Sequence, residues 1–375
     1  MSEVMLKLDR VDKFYGLIDH GVHAVRDISM EVKKGDIVAL LGSSGCGKTS
    51  TLRMVAGFEP VSRGSISING REIHHLPPVK RNVAMAFEGY SLYPTVTVRD
   101  NIAFALKSGN LPATEVARKV ENVAEMLEIS NILDRYATSI SGGQQQRASL
   151  ARALIRDADL HLLDEPMGQL EPQLRTLLRG RIKSYIKERG LTAILVTHDQ
   201  TEANALADRI AVMEDGELQQ YASPDEIKEA PANLFTGTFV GEPPMNVFPA
   251  TVTVADAMVT LEMADGLVLT YPANAFPDDL LARLVELQQI TLGVRPYSVK
   301  RSEKGAPAVI VANQWLGDQT HIAASFAGGA LVLVEHDRTH LSVGDQIAVN
   351  LEPSDLHVFN PATGMAVSHG TELVG

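Results

Sequence analysis

The stretch DIVALLGSSGCGKTSTLRMVAG, residues 36–57, constrains this chain more than any other. Its unbroken apolar start reads as a strand buried on both faces, and its end reads as a helix closed by Gly57. Between them, Gly42-Ser43-Ser44-Gly45-Cys46-Gly47-Lys48-Thr49 fits the spacing G-x-x-x-x-G-K-[ST], with Ser50 next in line. Glycines let backbone N–H groups curl around a polyphosphate without side-chain clashes. Lys48 adds a mobile cation, the helix start adds partial positive charge, and the Thr49 hydroxyl suits Mg²⁺. Cys46 fills an interior variable position and reads as packing. The loop therefore predicts an α/β nucleotide-binding sheet.

That sheet does not account for the whole chain. At 375 residues, two domains are expected, and the pattern changes near residue 240. Before that point, apolar runs such as LHLLDE and AILVTH alternate with helical stretches such as VARKVENVAEMLEI. After FVGEPPMNVFPA, short alternating stretches dominate and predict a small all-β barrel or pair of barrels, interrupted once by the helical DDLLARLVELQQ. Asp215-Gly216 in AVMEDGELQQYA is a hairpin signal. The hydrophobic share of 45% fits a soluble globular protein, and no apolar run reaches membrane-helix length. MSEVMLKLDR lacks the features of a secretory signal, and the single cysteine fits a reducing compartment, so the chain is expected in the cytosol. A formal charge of −12 argues against a broad nucleic-acid or anionic lipid surface.

A phosphate loop needs an acid at a neighbouring strand end to hold Mg²⁺. LLDEPMGQLEP supplies Asp164 for that place, and Glu165 beside it is suited to polarise an attacking water. SISGGQQQRASLARAL adds a second anion-binding helix start, with Ser141 as the cap, Gln144 as its capping-box partner, and Gly142 and Gly143 leaving N–H groups open. One loop already cradles the nucleotide, so a spare phosphate site implies a second copy of such a chain.

With SGGQ at Ser141–Gln144, the acid pair and His198 in ILVTHDQTEA, the sequence resembles the ATP-binding cassette (ABC) family. Dimers of that family sandwich ATP between one subunit's phosphate loop and the other's signature. The resemblance implies an ABC-type P-loop ATPase domain over residues 1–240, with a helical signature subdomain at about 88–157. An all-β, OB-like TOBE regulatory domain is implied for 241–375. Tyr15 in DKFYG looks like the aromatic on which adenine stacks, with Phe14 as competitor. His198 resembles the switch histidine that meets the γ-phosphate. His74, His75, His336 and His340 read as surface residues without acidic or cysteine companions.

YSLYPTVTVRDNIAFAL resembles the segment of maltose-type importer ATPases that receives a helix of the permease, and TLGVRPYSV, WLGDQT and LHVFNPATG resemble strands of their extra β-domain. The resemblance implies a peripheral ATPase on the cytoplasmic face of the inner membrane. It would drive two separate permease subunits fed by a periplasmic binding protein. The implied cargo is a carbohydrate, glycoside or polyol; polyamine, iron or sulfate import is the alternative. A repair or translation ATPase would normally show two cassettes or a coiled-coil insertion, and a pure sensor would not need an intact nucleotide site.

Two positions depart from the family pattern. Where an amide usually approaches Mg²⁺ and the attacking water, the chain has Glu88, and where the loop after the acid pair usually ends in Asp it has Glu171. A carboxylate at 88 adds repulsion near Asp164 and Glu165, and either binds Mg²⁺ more strongly or takes up a proton. Ordinary activity after drift, a heterodimer with a complementary second ATPase, and a low-activity regulatory subunit are all compatible with these changes.

Overall fold

The computed structural model describes residues 3–16, 21–109 and 111–370. The first two residues of the amino-terminal stretch read above therefore lie outside the described residues. The chain forms two compact units, one running to Pro224 and the other starting at Asp225.

The first unit holds two sheets. Six strands lie in the order Glu217–Ala222, Arg209–Glu214, Ile37–Gly42, Ala193–Thr197, Leu160–Asp164, Val83–Ala86. The neighbours from Arg209–Glu214 to Val83–Ala86 run parallel, and only the Glu217–Ala222 hairpin strand is antiparallel. Ile37–Gly42, Leu160–Asp164 and Ala193–Thr197 are buried along their whole length, as sheet strands covered on both faces must be. Asp215 and Gly216 turn that hairpin with φ of 47° and 86°, the left-handed pair that its tight turn requires.

An antiparallel sheet, ordered Val22–Lys33, Val4–Tyr15, Arg63–Ile68, Arg71–Glu72, forms a second layer. Leu6, Leu8, Ile28 and Ile66 from it join Val38, Leu40, Leu162 and Val196 of the parallel sheet in one core, together with Leu52, Met54 and Val55 of helix Lys48–Ala56. The helix that carries the glycine loop is thus part of the core. Helices Val98–Ala103, Ala113–Met126 and Gly142–Leu154 follow one another in the chain between strands Val83–Ala86 and Leu160–Asp164.

The second unit contains a six-stranded and a five-stranded antiparallel sheet. Phe248, Leu261 and Leu292 of the first share a core with Ile310, Ile322 and Leu333 of the second, and helix Asp278–Leu287 adds Leu280 and Leu284. Buried Asn246 stitches the sheets together: its amide donates to the Val332 carbonyl at 2.8 Å and accepts from the Val332 N–H at 2.6 Å. The single helix expected from DDLLARLVELQQ lies within this all-β architecture.

Candidate active site

Strand Ile37–Gly42, interior to the sheet, delivers the glycine loop at its carboxyl end. Gly45 and Gly47 have φ of 84° and 98°, which side chains rarely tolerate, and a Cβ on Gly47 would come within 2.4 Å of the Ala24 carbonyl oxygen. Ser43, Ser44 and Gly45 form the exposed crest, Cys46 and Lys48 are buried, and Thr49 and Ser50 are half-buried. Lys48 Nζ donates to the carbonyls of Gly42 at 2.8 Å and Ser43 at 2.7 Å, with Cys46 Sγ 3.6 Å away. Cys46 packs beneath the loop.

Tyr15 and Phe14 differ in what occupies them. The Phe14 ring is stacked on His23 with centroids 3.9 Å apart, and Arg63 stands over it. Tyr15 is exposed, and its hydroxyl is 3.1 Å from Ser50 Oγ on the loop helix. That contact places the Tyr15 ring beside the glycine loop.

Strand Leu160–Asp164 brings the acids to the same carboxyl end of the parallel sheet. Thr49 Oγ1 donates to Asp164 Oδ1 across 3.5 Å. Burial, then the charges of Glu88 and Glu165, push the Asp164 carboxyl up to about 6, against the opposing pull of Arg53 and Thr49. Glu88 is exposed on its loop and reaches Asp164 through charge. A hydroxyl and a set of crowded carboxylates are hard oxygen donors that a divalent cation would relieve, so these residues fit Mg²⁺.

Glu165 sits past the strand end at φ 48°, a conformation that costs energy for a non-glycine residue and is held here on three sides. Its N–H donates to the Val196 carbonyl at 3.0 Å, its carbonyl accepts from Gln146 Nε2 at 2.8 Å, and its carboxylate meets His198 Nδ1 at 2.9 Å. His198 projects from the end of strand Ala193–Thr197 and is 68% exposed, which leaves the rest of its ring open to a reacting group.

The signature residues form the helix start that their sequence predicts. Ser141 caps helix Gly142–Leu154 in a complete capping box with Gln144. A Cβ on Gly142 would lie 2.9 Å from Gln169 Oε1, and one on Gly143 would lie 3.2 Å from the Gln169 carbonyl oxygen. The signature thus borders the loop that follows the acids. Glu171 ends that loop, exposed, as the cap residue of helix Pro172–Glu188 without a side-chain capping bond.

Sequence reasoning missed the braces of this site. Buried Gln146 donates to the Glu165 carbonyl and accepts from the Gln169 N–H at 3.0 Å, so the signature helix holds the acid loop at two points. Arg175 donates to the Leu170 carbonyl at 3.2 Å and to Asp199 Oδ2 at 3.1 Å, tying the same loop to the residue after His198. Although burial pushes Asp199 up, the Glu202 N–H, Arg179 and Arg175 together hold it below its ordinary range. Glu202 is buried against Thr197, and burial drives its carboxyl up to about 7. Helical spacing carried one signal: Gln146 lies four residues after Gly142, on the same helix face.

His74 and His75 do have an acidic companion, because the strand Arg71–Glu72 brings Glu72 to them.

The sequence pattern of the ABC transporter family matches residues 25–168, and that of the TOBE domain matches residues 290–359. The chain is 38% identical over 352 residues to the sn-glycerol-3-phosphate import ATP-binding protein UgpC of Paracoccus denitrificans, an alignment covering 92% of this chain and 96% of that one. The chain belongs to the ABC transporter family. A second ABC relative, the trehalose/maltose import ATP-binding protein MalK of Thermococcus litoralis, is 38% identical over 364 residues, covering 92% of this chain and 96% of that protein. Among solved structures, a dimeric bacterial ABC transporter cassette superimposes with a TM-score of 0.55 at 26% identity, over 59% of this chain and 99% of that one. The same cassette in a post-hydrolysis state bound to ADP and Pi gives a TM-score of 0.54 at 25% identity, with the same coverage. This ABC protein is therefore an ATPase with a TOBE domain, and its nucleotide is ATP. Among its described residues no helix is long and apolar enough to cross a membrane.

Proposed function

We propose that the chain is the ATP-hydrolysing subunit of an importer for a carbohydrate, glycoside or polyol, glycerol phosphate included, working on separate membrane permeases from their cytoplasmic face. The observation that carries this reading is the likeness to two import ATP-binding proteins across both units of the chain. The ATPase domain is assigned to residues 1–240, with its helical subdomain at about 88–157, and the β domain to 241–375.

In this reading two ATPs bind across a dimer, each between the loop 42–50 of one subunit and the Ser141–Gln144 helix start of the other. Tyr15 stacks on the adenine, and Lys48 leaves its two loop carbonyls for the phosphates. Thr49, Asp164 and Glu88 would hold Mg²⁺, which supplies charge neutralisation at the phosphates. Glu165 accepts the proton of the attacking water, and His198, held by that same carboxylate, faces the γ-phosphate. The loop from Glu165 to Glu171 carries closure from one site to the other.

The permease-docking reading of residues 90–106 has support in geometry. Phe87, Tyr93, Phe104 and Arg152 line a cavity of about 570 Å³, with both Tyr93 and Phe104 exposed. Arg152 donates to the carbonyls of Tyr90 and Ser91, two residues at positive φ, so the groove wall is fixed by the signature helix itself. An apolar helix end would fit that groove.

The test is uptake in cells lacking the chain, across labelled sugars, glycosides, polyols and glycerol phosphate. Loss of uptake of one such solute, restored by the wild type and not by Glu165→Gln, supports the reading. Unchanged uptake across the panel, or restoration by Glu165→Gln, contradicts it.

A further inference from the structure

Glu72, His74 and His75 bring one carboxylate oxygen and two imidazole nitrogens within 4.8 Å of one another, outside the nucleotide site. The backbone that carries them is fixed. Strand Arg71–Glu72 pairs with Arg63–Ile68, the Ile73 N–H donates to the Ile66 carbonyl at 2.8 Å, and the Leu76 N–H donates to the Ile73 carbonyl at 2.9 Å. Buried Arg81 then pins the turn, donating to the carbonyls of His74 at 3.0 Å and Leu76 at 2.8 Å while its other nitrogen bonds Met54 and Val55 at the end of the loop helix.

Glu72 and His75 are exposed and His74 half-buried, and the two rings meet edge to face with centroids 5.4 Å apart. We propose that Glu72, His74 and His75 form a surface site for one divalent transition-metal ion of the zinc class, with solvent at the remaining position.

Two imidazoles and a carboxylate suit zinc, nickel or copper, whereas Mg²⁺ takes oxygen ligands, so the site does not compete for the cation at Asp164. Bonds of about 2.0–2.1 Å in tetrahedral geometry bring ligand atoms to about 3.4 Å apart. From within 4.8 Å of one another, the ligand atoms have up to about 1.4 Å to close to reach that spacing. The Ile66 N–H stands 3.5 Å from His74 Nδ1, a weak contact at the outer limit of hydrogen bonding, and giving it up counts against the affinity of the site.

The experiment uses the full chain free of any histidine tag, without nucleotide. Zn²⁺ is titrated by calorimetry, and Co²⁺ by visible absorption as a report on coordination. The expected result is one saturable equivalent and intensified Co²⁺ bands. His74→Ala and His75→Ala should each weaken binding on the order of tenfold or more, with Glu72→Gln also weaker and His336→Ala unchanged. All four variants should bind ATP as the wild type does, showing that folding is intact. No saturable binding, or unchanged affinity in the His74→Ala/His75→Ala double variant, would overturn the proposal.

Discussion

The Glu165 carboxylate and His198 Nδ1 meet at 2.9 Å, joining the ends of two neighbouring parallel strands into one reactive pair. Each residue is positioned by backbone that another part of the fold holds. Gln146 and the Val196 carbonyl fix Glu165, while Arg175 and Arg179 grip Asp199, the residue after His198. The pair is thus built before any substrate arrives.

Lys48→Ala should weaken ATP binding on the order of tenfold or more, since a charge-assisted bond to phosphate contributes about 1.5–3 kcal/mol. The free loop should keep its fold, because Leu52, Met54 and Val55 anchor its helix in the core. Nucleotide titration by fluorescence checks this, with wild-type thermal stability as the control.

Gln146→Leu should lower kcat with little change in the ATP KM. The substitution leaves the Glu165 carbonyl and the Gln169 N–H without their partner, costing on the order of 2 kcal/mol of stability and loosening the acid rather than the binding loop. Steady-state kinetics separates these effects. An equal fall in affinity and turnover would point to general damage instead.

Glu202 should make the first unit less stable as pH rises through neutrality. Unfolded, its carboxyl ionises near its model value of 4.5; folded, near 7. Between those values the folded chain keeps a proton that the unfolded chain has lost, so its contribution is full below 4.5 and disappears as pH passes 7. Glu202→Gln should match the wild type near pH 4 and exceed it at pH 8, on the order of a few kcal/mol, in urea melts.

The second unit should fail in acid for the opposite reason. Burial, then Arg295 and His369, push the His357 imidazole down to about 3 from its ordinary 6.5. Its neutral form therefore gives stability that is complete above 6.5 and lost as pH falls through about 3. Trp315, the only tryptophan of the chain, lies in this unit, so its fluorescence reports the transition. His357→Leu should shift that acid transition to lower pH.

What the sequence made legible follows from how far its signals reach. The glycine loop, the Ser141 capping box and the Asp215-Gly216 turn are each complete within a few residues, and each forms as its local chemistry dictates. Gln146 and Glu165 are 19 residues apart, and Arg175 and Asp199 are 24 apart. Only the fold brings those partners together, and a glutamine or arginine on a helix carries no mark of its partner. Glu72 was missed differently: it is close to His74 in sequence, yet only the strand end and the Arg81-pinned turn put its carboxylate on their side.

The most direct test of the central claim is sedimentation of Glu165→Gln with and without saturating Mg-ATP, alongside its hydrolysis rate. ATP should convert the variant from monomer to a stable dimer while turnover falls on the order of a hundredfold or more below wild type. A variant that stays monomeric with ATP bound, or that keeps wild-type turnover, would contradict the assignment of Glu165 as the base in an ATP-sandwiched dimer.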